Sequence, residues 1–487
     1  MKHWLIATMI LAAIVYALAL DPLLDLNLDT PRFVMLARSI HDGQGYFGRF
    51  DFVDRPETQI PYLYPLILSS VVAISGPEAY EAFKVVSLVS ILLALWAMWF
   101  WMSQWTTADE AKWIVILAAF LTQTQMLASR IATEAPFLAA SFACLGFMER
   151  VVGKPNSRLR DWAAVILLIG VSFHLRAAGW SLLASFIVAL LWHRQWRSAV
   201  TSGVLGLAVC SPWLIRTIQF GFGYSGEFKL NTPGPAAILF RIAYNGAADV
   251  AKSLPDLFFY PFFAPYLPYE PMFFLKAFVG GVLFCLMIAG LLKGLKQVTS
   301  LREASATAIY FVIYLVGALS WTVHGERYLL PVLPLLIWGL IRGAGRWRPA
   351  LQVLILLAGL AGCFRTIYRT REGIYPPEET GFREAAQWVK SHVSPDDRIT
   401  SRYPTWIAAV TGNRGTRWSE INDTEVLRRE LVENHTPWLI LDRNKTVRET
   451  GADLFKPLIE KDPAEFQLAF ESSATPSTRV YHFVALH

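Results

Sequence analysis

Charge is scarce in this chain. Of 487 residues, 17% are Asp, Glu, Lys or Arg, against 54% hydrophobic. Soluble globular proteins carry nearer about 25% charge, so an ordinary cytosolic enzyme is excluded. Cysteine is scarcer still. Cys144, Cys210, Cys285 and Cys363 each stand alone in an apolar block. With no CxxC and no Cys/His pair, neither a zinc site nor a disulfide framework can be read, and small buried hydrophobes are the expectation. Walker A, HExxH, GxSxG and a GxGxxG in strand–helix context are also missing, which removes support for ATP-driven transport and zinc peptidase chemistry. Gly and Pro show no period and the apolar residues come in blocks, so the chain is neither fibrous nor disordered. The net charge is +6 and the pI about 9.0. Lys and Arg nevertheless sit in short clusters between apolar blocks, where membrane orientation explains them and a nucleic-acid partner does not.

What is abundant is apolar and aromatic: 18 Trp and 31 Phe, with a mean hydropathy of +0.39. A helix needs about 20 apolar residues to cross a bilayer. Eleven candidate spans can be read: 4–20, 84–103, 113–128, 131–149, 161–175, 177–192, 198–216, 272–292, 304–321, 328–342 and 349–366. The run 61–75 is apolar but short and holds Pro61 and Pro65. Omitting it as a span puts Lys2 on the same side as the loop clusters Arg150/Lys154/Arg158/Arg160, Arg194/Arg197, Lys293/Lys296/Arg302 and Arg342/Arg346/Arg348. The positive-inside rule therefore makes it an interfacial helix. The N-terminus is then cytoplasmic and the C-terminus external. Arg365, Arg369 and Arg371 run against that sidedness, and a cleavable signal at residues 2–19 is the alternative to an uncleaved first span.

Three long segments fall on the outer face: 21–83, 217–271 and a tail from about 367 to 487. In the tail, polar helices at 382–392 and 424–433 alternate with apolar runs at 438–442 and 479–484, which reads as a small α/β domain. The fold class expected is an all-α polytopic membrane domain, residues 1–366, with about eleven transmembrane helices, followed by a C-terminal extracytoplasmic α/β domain, 367–487.

Two acids stand out. Around Asp29 the sequence reads Leu28-Asp29-Thr30-Pro31-Arg32-Phe33. Thr30 is an expected N-cap with Pro31 at the first helical position. Phe33, Leu36, Ala37 and Ile40 then share one face of a short amphipathic helix lying on the membrane. Asp29 at its start is either a cap or a general base for a hydroxyl near the membrane surface. Glu134, in Arg130-Ile-Ala-Thr-Glu134-Ala-Pro, lies near the outer end of a span. An acid there is a functional candidate by default, unless an i,i+4 pair with Arg130 neutralises it. Arg130, Arg176, His324 and Arg327 gather near the same outer face. Arg suits a phosphate held at a membrane surface, with snorkelling to headgroups as the alternative. The proline- and aromatic-rich run 255–271 cannot be a regular spanning helix. An aromatic belt or a segment touching a lipid chain are its two readings.

Four elements in order carry a resemblance. They are the acid and helix of residues 29–46 ending in Gly43-Gln-Gly45-Tyr46; Pro61-Tyr-Leu-Tyr64-Pro65; Ser129-Arg130-Ile-Ala-Thr-Glu134-Ala-Pro; and Glu326-Arg327-Tyr328-Leu-Leu-Pro331-Val-Leu-Pro334. Together they resemble bacterial membrane glycosyltransferases of the GT-C fold (glycosyltransferase family 39/83-like), in the branch of protein O-mannosyltransferases and the lipid A aminoarabinose transferase. The resemblance implies an enzyme of the bacterial cytoplasmic membrane that takes a sugar from a polyprenyl-phosphate donor in the outer leaflet. The acceptor is a hydroxyl on a lipid, glycan or protein, and transfer inverts the anomeric carbon. Asp29 is the implied base, with Glu134 orienting the acceptor or the cations. Arg130, Arg176, Arg327 and His324 are the implied phosphate ligands, and Tyr64 joins the substrate-binding set. Thr30 stands where the family often has a second acid, so no motif supports a divalent metal; the Pro61 element lacks the usual His, so the substrate of any one member does not carry over. A flippase for lipid-linked glycans and a non-catalytic scaffold are the competing readings. The first needs polar groups at mid-bilayer depth, and the second needs neither acid.

Overall fold

The computed structural model describes residues 3–26, 29–48, 55–154, 157–221, 234–260, 269–295, 305–321, 325–418, 423–442 and 451–484. Each of the eleven expected apolar segments contains helix over most of its described part. The chain divides into two compact units. The first comprises residues 1–21, 58–64 and 83–368, and the second 22–57, 65–82 and 369–487.

The first unit is a helical membrane domain. Among its helices are α1 (His3–Leu18), α4 (Tyr80–Trp105), α5 (Ala108–Phe120), α6 (Thr122–Ala128), α7 (Glu134–Val151), α8 (Leu159–Leu175), α9 (Trp180–Trp192) and α10 (Trp196–Phe220). These are followed by α11 (Pro235–Ala248), α12 (Leu254–Phe259), α13 (Tyr269–Leu295), α14 (Ala306–Ser320), α15 (Leu333–Gly343) and α16 (Arg348–Arg371). Among the described residues, α4, α10, α13 and the segment 345–371 are each long and apolar enough to cross a bilayer alone. The pair α5–α6 makes a fifth candidate, but it is bent by 63°.

That bend corrects the single span expected at 113–128. Leu121 is extended (φ −66°, ψ 137°), which breaks the helical hydrogen bonding. Backbone groups released inside a membrane must find protein partners, and here they do. The Tyr16 hydroxyl donates to the carbonyl of Ala119 at 2.5 Å. The Cys363 thiol points to the carbonyl of Phe120 at 3.5 Å, and Gln125 Nε2 donates to the Cys363 carbonyl at 3.2 Å. The start of α5 is set by a reciprocal capping box between Thr107 and Glu110. Cys144, Cys210 and Cys363 are buried as expected, while Cys285 is exposed on outward-facing α13.

α13 and α15 pack backbone to backbone. A Cβ on Gly290 would collide with the carbonyl of Gly339, and one on Gly343 with the carbonyl of Leu286. Small residues of this kind let membrane helices approach closely and gain dispersion contact.

The second unit gathers α2 (Asp29–His41), most of α3 (Leu63–Ser75) and the tail. The tail builds a five-stranded sheet from β3 (Ile399–Ser401), β4 (Gly415–Thr416), β5 (Trp438–Leu441), β6 (Phe466–Glu471) and β7 (Arg479–Phe483). A two-residue pair, β1 (Phe47–Gly48) with β2 (Arg55–Pro56), precedes it. The order is β4-β3-β5-β7-β6. β3 runs parallel to β4 and β5, and β7 is antiparallel to β5 and β6. Helices α17 (Pro377–His392), α18 (Pro404–Thr411), α19 (Thr424–Glu433) and α20 (Gly451–Lys461) complete it. The expected helices at 382–392 and 424–433 and the apolar runs at 438–442 and 479–484 correspond to α17, α19, β5 and β7. A core of Leu427, Leu431, Leu439, Phe455, Leu458 and Phe483 lies under α19 and α20.

Candidate active site

In the first unit, Glu134 opens α7, where a carboxylate is favoured by the exposed backbone N–H groups of the helix start. Arg176 stands between α8 and a short turn at Ala177–Gly179, with extended backbone (φ −149°, ψ 140°) that turns the chain off the helix axis. Gly179 permits that turn, since a Cβ there would lie 2.5 Å from the backbone nitrogen of Phe173. The result is a close ion pair: Arg176 Nη1 lies 2.5 Å from Glu134 Oε1. Arg176 also donates to the Thr133 hydroxyl (3.3 Å), which in turn donates to Glu134 Oε2 (3.4 Å). Arg327 approaches from the 3₁₀ turn Glu326–Val332, with Nη1 3.8 Å from the same Glu134 oxygen. Its guanidinium lies 5.2 Å from the Tyr328 ring centre, within cation–π range. The Tyr314 hydroxyl holds the turn by donating to the carbonyl of Tyr328 at 3.0 Å.

The expected i,i+4 pair of Glu134 with Arg130 does not form. Arg130 precedes the first turn of α7, so the helical spacing that would align the two side chains is absent. Arg130 is exposed and makes no hydrogen bond or ion pair among the described residues. His324 lies outside the described residues. Tyr64 is fully buried. Its hydroxyl meets Ser87 Oγ at 3.2 Å, and Ser87 Oγ accepts from the backbone N–H of Ala132 at 3.4 Å. Tyr64 thus braces the loop leading into Glu134 and lines neither cleft described next.

Glu134, Arg176, Arg327, Tyr314 and Tyr328 line a narrow cleft. One carboxylate against two guanidinium groups leaves it one positive charge. A second narrow cleft is lined by Ile91, Leu95, Met98, Leu127 and Phe142. Leu138 and Leu330 line both. A charged cleft and an apolar one therefore lie side by side, with two leucines common to their walls. Tyr314 and Thr133 were not singled out in the sequence. Tyr314 sits within an apolar helix, and Thr133 resembles any helix-flanking threonine. Of the run 255–271, residues 261–268 lie outside the described residues, and α12 buries Pro255 to Phe259.

In the second unit, Asp29 is the first residue of α2. The helix thus begins one residue before the expected cap, and Thr30 is buried inside its first turn. Phe33, Val34, Leu36 and Ala37 are buried, and α2 packs on α18. The face expected to lie on the membrane is thus covered by protein. Arg32 pairs with buried Glu57 at 2.9 Å. Asp29 is partly exposed. Among the described residues no group of three or more His, Cys, Asp or Glu side chains is placed to hold a metal ion.

The comparisons with known proteins agree with this architecture. Residues 59–216 match the family described as dolichyl-phosphate-mannose-protein mannosyltransferase. No curated protein sequence matches the chain. Among solved structures, ArnT from Cupriavidus metallidurans bound to undecaprenyl phosphate is similar with a TM-score of 0.61 at 13% identity, over 99% of this chain and 98% of that one. The archaeal oligosaccharyltransferase AglB from Archaeoglobus fulgidus, in complex with an inhibitory peptide and a dolichol-phosphate, gives 0.58 at 12% identity, over 90% of this chain and 69% of that one. The chain has the GT-C fold of membrane glycosyltransferases. It is a multi-pass membrane protein with a small sheet-bearing C-terminal region.

Proposed function

We propose that this protein transfers a sugar from a polyprenyl-phosphate donor to a hydroxyl acceptor at the outer face of the bacterial cytoplasmic membrane. The observation that carries the reading is the adjacency of the two clefts. A cleft with one surplus positive charge shares Leu138 and Leu330 with an apolar one. An amphiphile with a phosphate head and a hydrocarbon chain matches that pair. The lipid phosphates bound to the two similar structures have this chemistry.

Within this reading the two arginines divide the work. Arg176, at 2.5 Å from Glu134, is committed to neutralising the acid. Arg327, at 3.8 Å and with 42% of its side chain exposed, faces the donor phosphate. Asp29 takes the proton from the acceptor hydroxyl. The freed oxygen attacks the anomeric carbon from the face opposite the phosphate, and the carbon–oxygen bond to the phosphate breaks with inversion. The lipid phosphate departs carrying the bonding pair, and Arg327 offsets its developing charge. The N-terminus is cytoplasmic and the tail external, in line with the basic loops.

Mass spectrometry of envelope glycolipids and glycans tests the reading in three strains: wild type, deletion, and Asp29→Asn at matched protein level. Loss of the same sugar increment in both mutants is expected. A product profile altered by deletion and unaltered by Asp29→Asn would overturn the base assignment.

A further inference from the structure

The tail of this protein holds the C-terminal end of the helix that carries Asp29 and the segment of chain that precedes it. The contacts all lie within the second unit. At the C-terminal end of α2, the Arg38 guanidinium forks between two carbonyls far apart in sequence. Nε and Nη2 donate to the carbonyl of Pro77 at 3.1 and 2.7 Å. Nη1 donates to the carbonyl of Ala409, in α18, at 2.7 Å. Nη2 also meets the Tyr80 hydroxyl at 3.3 Å. On the N-terminal side, the carbonyl of Leu24 is taken by two tail side chains, Arg383 Nη2 from α17 at 2.9 Å and Trp406 Nε1 from α18 at 3.4 Å. Phe382 packs edge-on against Trp406, which fixes α17 to α18. Along the chain between these attachments, Phe33, Val34, Leu36 and Ala37 of α2 are buried, and α2 packs on α18.

We infer that the tail is a positioning clamp for α2, with Arg38 and Arg383 as its two polar anchors, and that it sets the reach of the Asp29 carboxylate. The inference rests on the proposed base role of Asp29. A lever argument gives the size of the effect. Arg38 is nine residues beyond Asp29, about 13.5 Å along a helix rising about 1.5 Å per residue. A swing of about 5° about the Arg38 end displaces Asp29 by about 1 Å, and a misplacement of that size can cost on the order of a hundredfold in rate. The fork is also specific to arginine. Lysine has a point charge on a flexible stem and cannot span two carbonyls in a fixed plane.

The test uses the full-length protein in lipid nanodiscs and the native host. Hydrogen exchange of the amides in residues 33–41 reads the clamp without any substrate. Mass spectrometry of the sugar product reads its consequence. In Arg38→Ala, α2 amides are expected to exchange at least about tenfold faster while α4 is unchanged, and product is expected to fall at least tenfold. Arg38→Lys is expected to restore part of both. Arg383→Ala is expected to loosen the N-terminal end of the helix in the same way. Unchanged exchange in both alanine variants overturns the clamp. Faster exchange with undiminished product, alongside loss of product in Asp29→Asn, overturns the positioning role and leaves the base role standing. Retained product in Asp29→Asn overturns the base role, and the positioning of a base falls with it. Lys461→Ala, an exposed tail substitution, is the control expected to change neither readout.

Discussion

Arg176 and Arg327 flank the same carboxylate oxygen, yet removing them should have opposite consequences. The Glu134 and Arg176 side chains are 11% and 23% exposed and 2.5 Å apart. Removing one partner of a buried pair costs about 3–5 kcal/mol, because the other charge is left desolvated and unmatched. Here the loss is partly offset. Coulomb attraction falls inversely with distance, so Arg327 at 3.8 Å retains about two-thirds of the gross attraction that Arg176 supplies. Arg176→Ala should therefore destabilise by about 3 kcal/mol. Arg327→Ala leaves the closer pair intact and removes a side chain that is 42% exposed, so its cost should stay under about 1 kcal/mol. Its effect falls on donor binding and transfer. The assay is thermal unfolding of detergent-solubilised protein by fluorescence-detected size exclusion, beside product analysis in the host. Replacing Glu134 and Arg176 together by Leu and Met should recover most of the stability while transfer stays lost. Equal destabilisation by Arg327→Ala and Arg176→Ala would refute the division of labour.

Three further outcomes follow from the packing. Gly343→Leu places a side chain against the carbonyl of Leu286, and overpacking of this kind costs at least about 1–3 kcal/mol; an unchanged unfolding midpoint would contradict the backbone contact of α13 with α15. In the tail, Asp442 is 1% exposed and pairs with buried Arg402 at 3.3 Å, so Asp442→Ala should cost about 3–5 kcal/mol and speed hydrogen exchange in β5. The Arg428 guanidinium, 2.6 Å from Glu465, holds that carboxyl below the usual carboxylate range. A depressed pKa stabilises the fold above the carboxylate's unfolded value, and the benefit is lost as pH falls through the folded one. Both groups are largely solvated, so the contribution is at most about 1 kcal/mol. Arg428→Ala should narrow the difference in tail stability between neutral and acidic pH, and an unaltered pH profile would count against the pair.

Much of this architecture was legible in the sequence, because apolar length and basic loops are signals the bilayer itself imposes. The break at Leu121 was not. Thr122, Gln123, Thr124 and Gln125 are all buried, yet each is weakly polar and the flanking residues keep the average apolar. The alternative pairing of Glu134 with Arg130 failed for a local reason. Arg130 has helical spacing from it in number only, since the helix starts at Glu134. Its actual partners come from segments 42 and 193 positions away, which no periodicity reveals. For α2 the amphipathic face was correct and its counterpart was not. A buried face reads the same whether lipid or α18 covers it. The strands β3, β4 and β6 were missed: two are three residues or shorter, and the third, Phe466–Glu471, alternates apolar residues over only six positions and buries just the first of them.

The break between α5 and α6 has a bearing on how the protein is made. Its carbonyls are satisfied by Tyr16 from the first helix and Cys363 from α16, and Gln125 rests on the carbonyl of Cys363. A segment that needs outside partners for its own backbone cannot come to rest in hydrocarbon by itself. The ribosome emits Tyr16 about a hundred residues before the break and Cys363 well over two hundred after it. For that interval the break must be sheltered by water, by the translocation machinery or by a chaperone. A nascent chain stopped before α16 would present an open polar seam, and membrane quality control would have a chemical mark by which to tell unfinished molecules from finished ones.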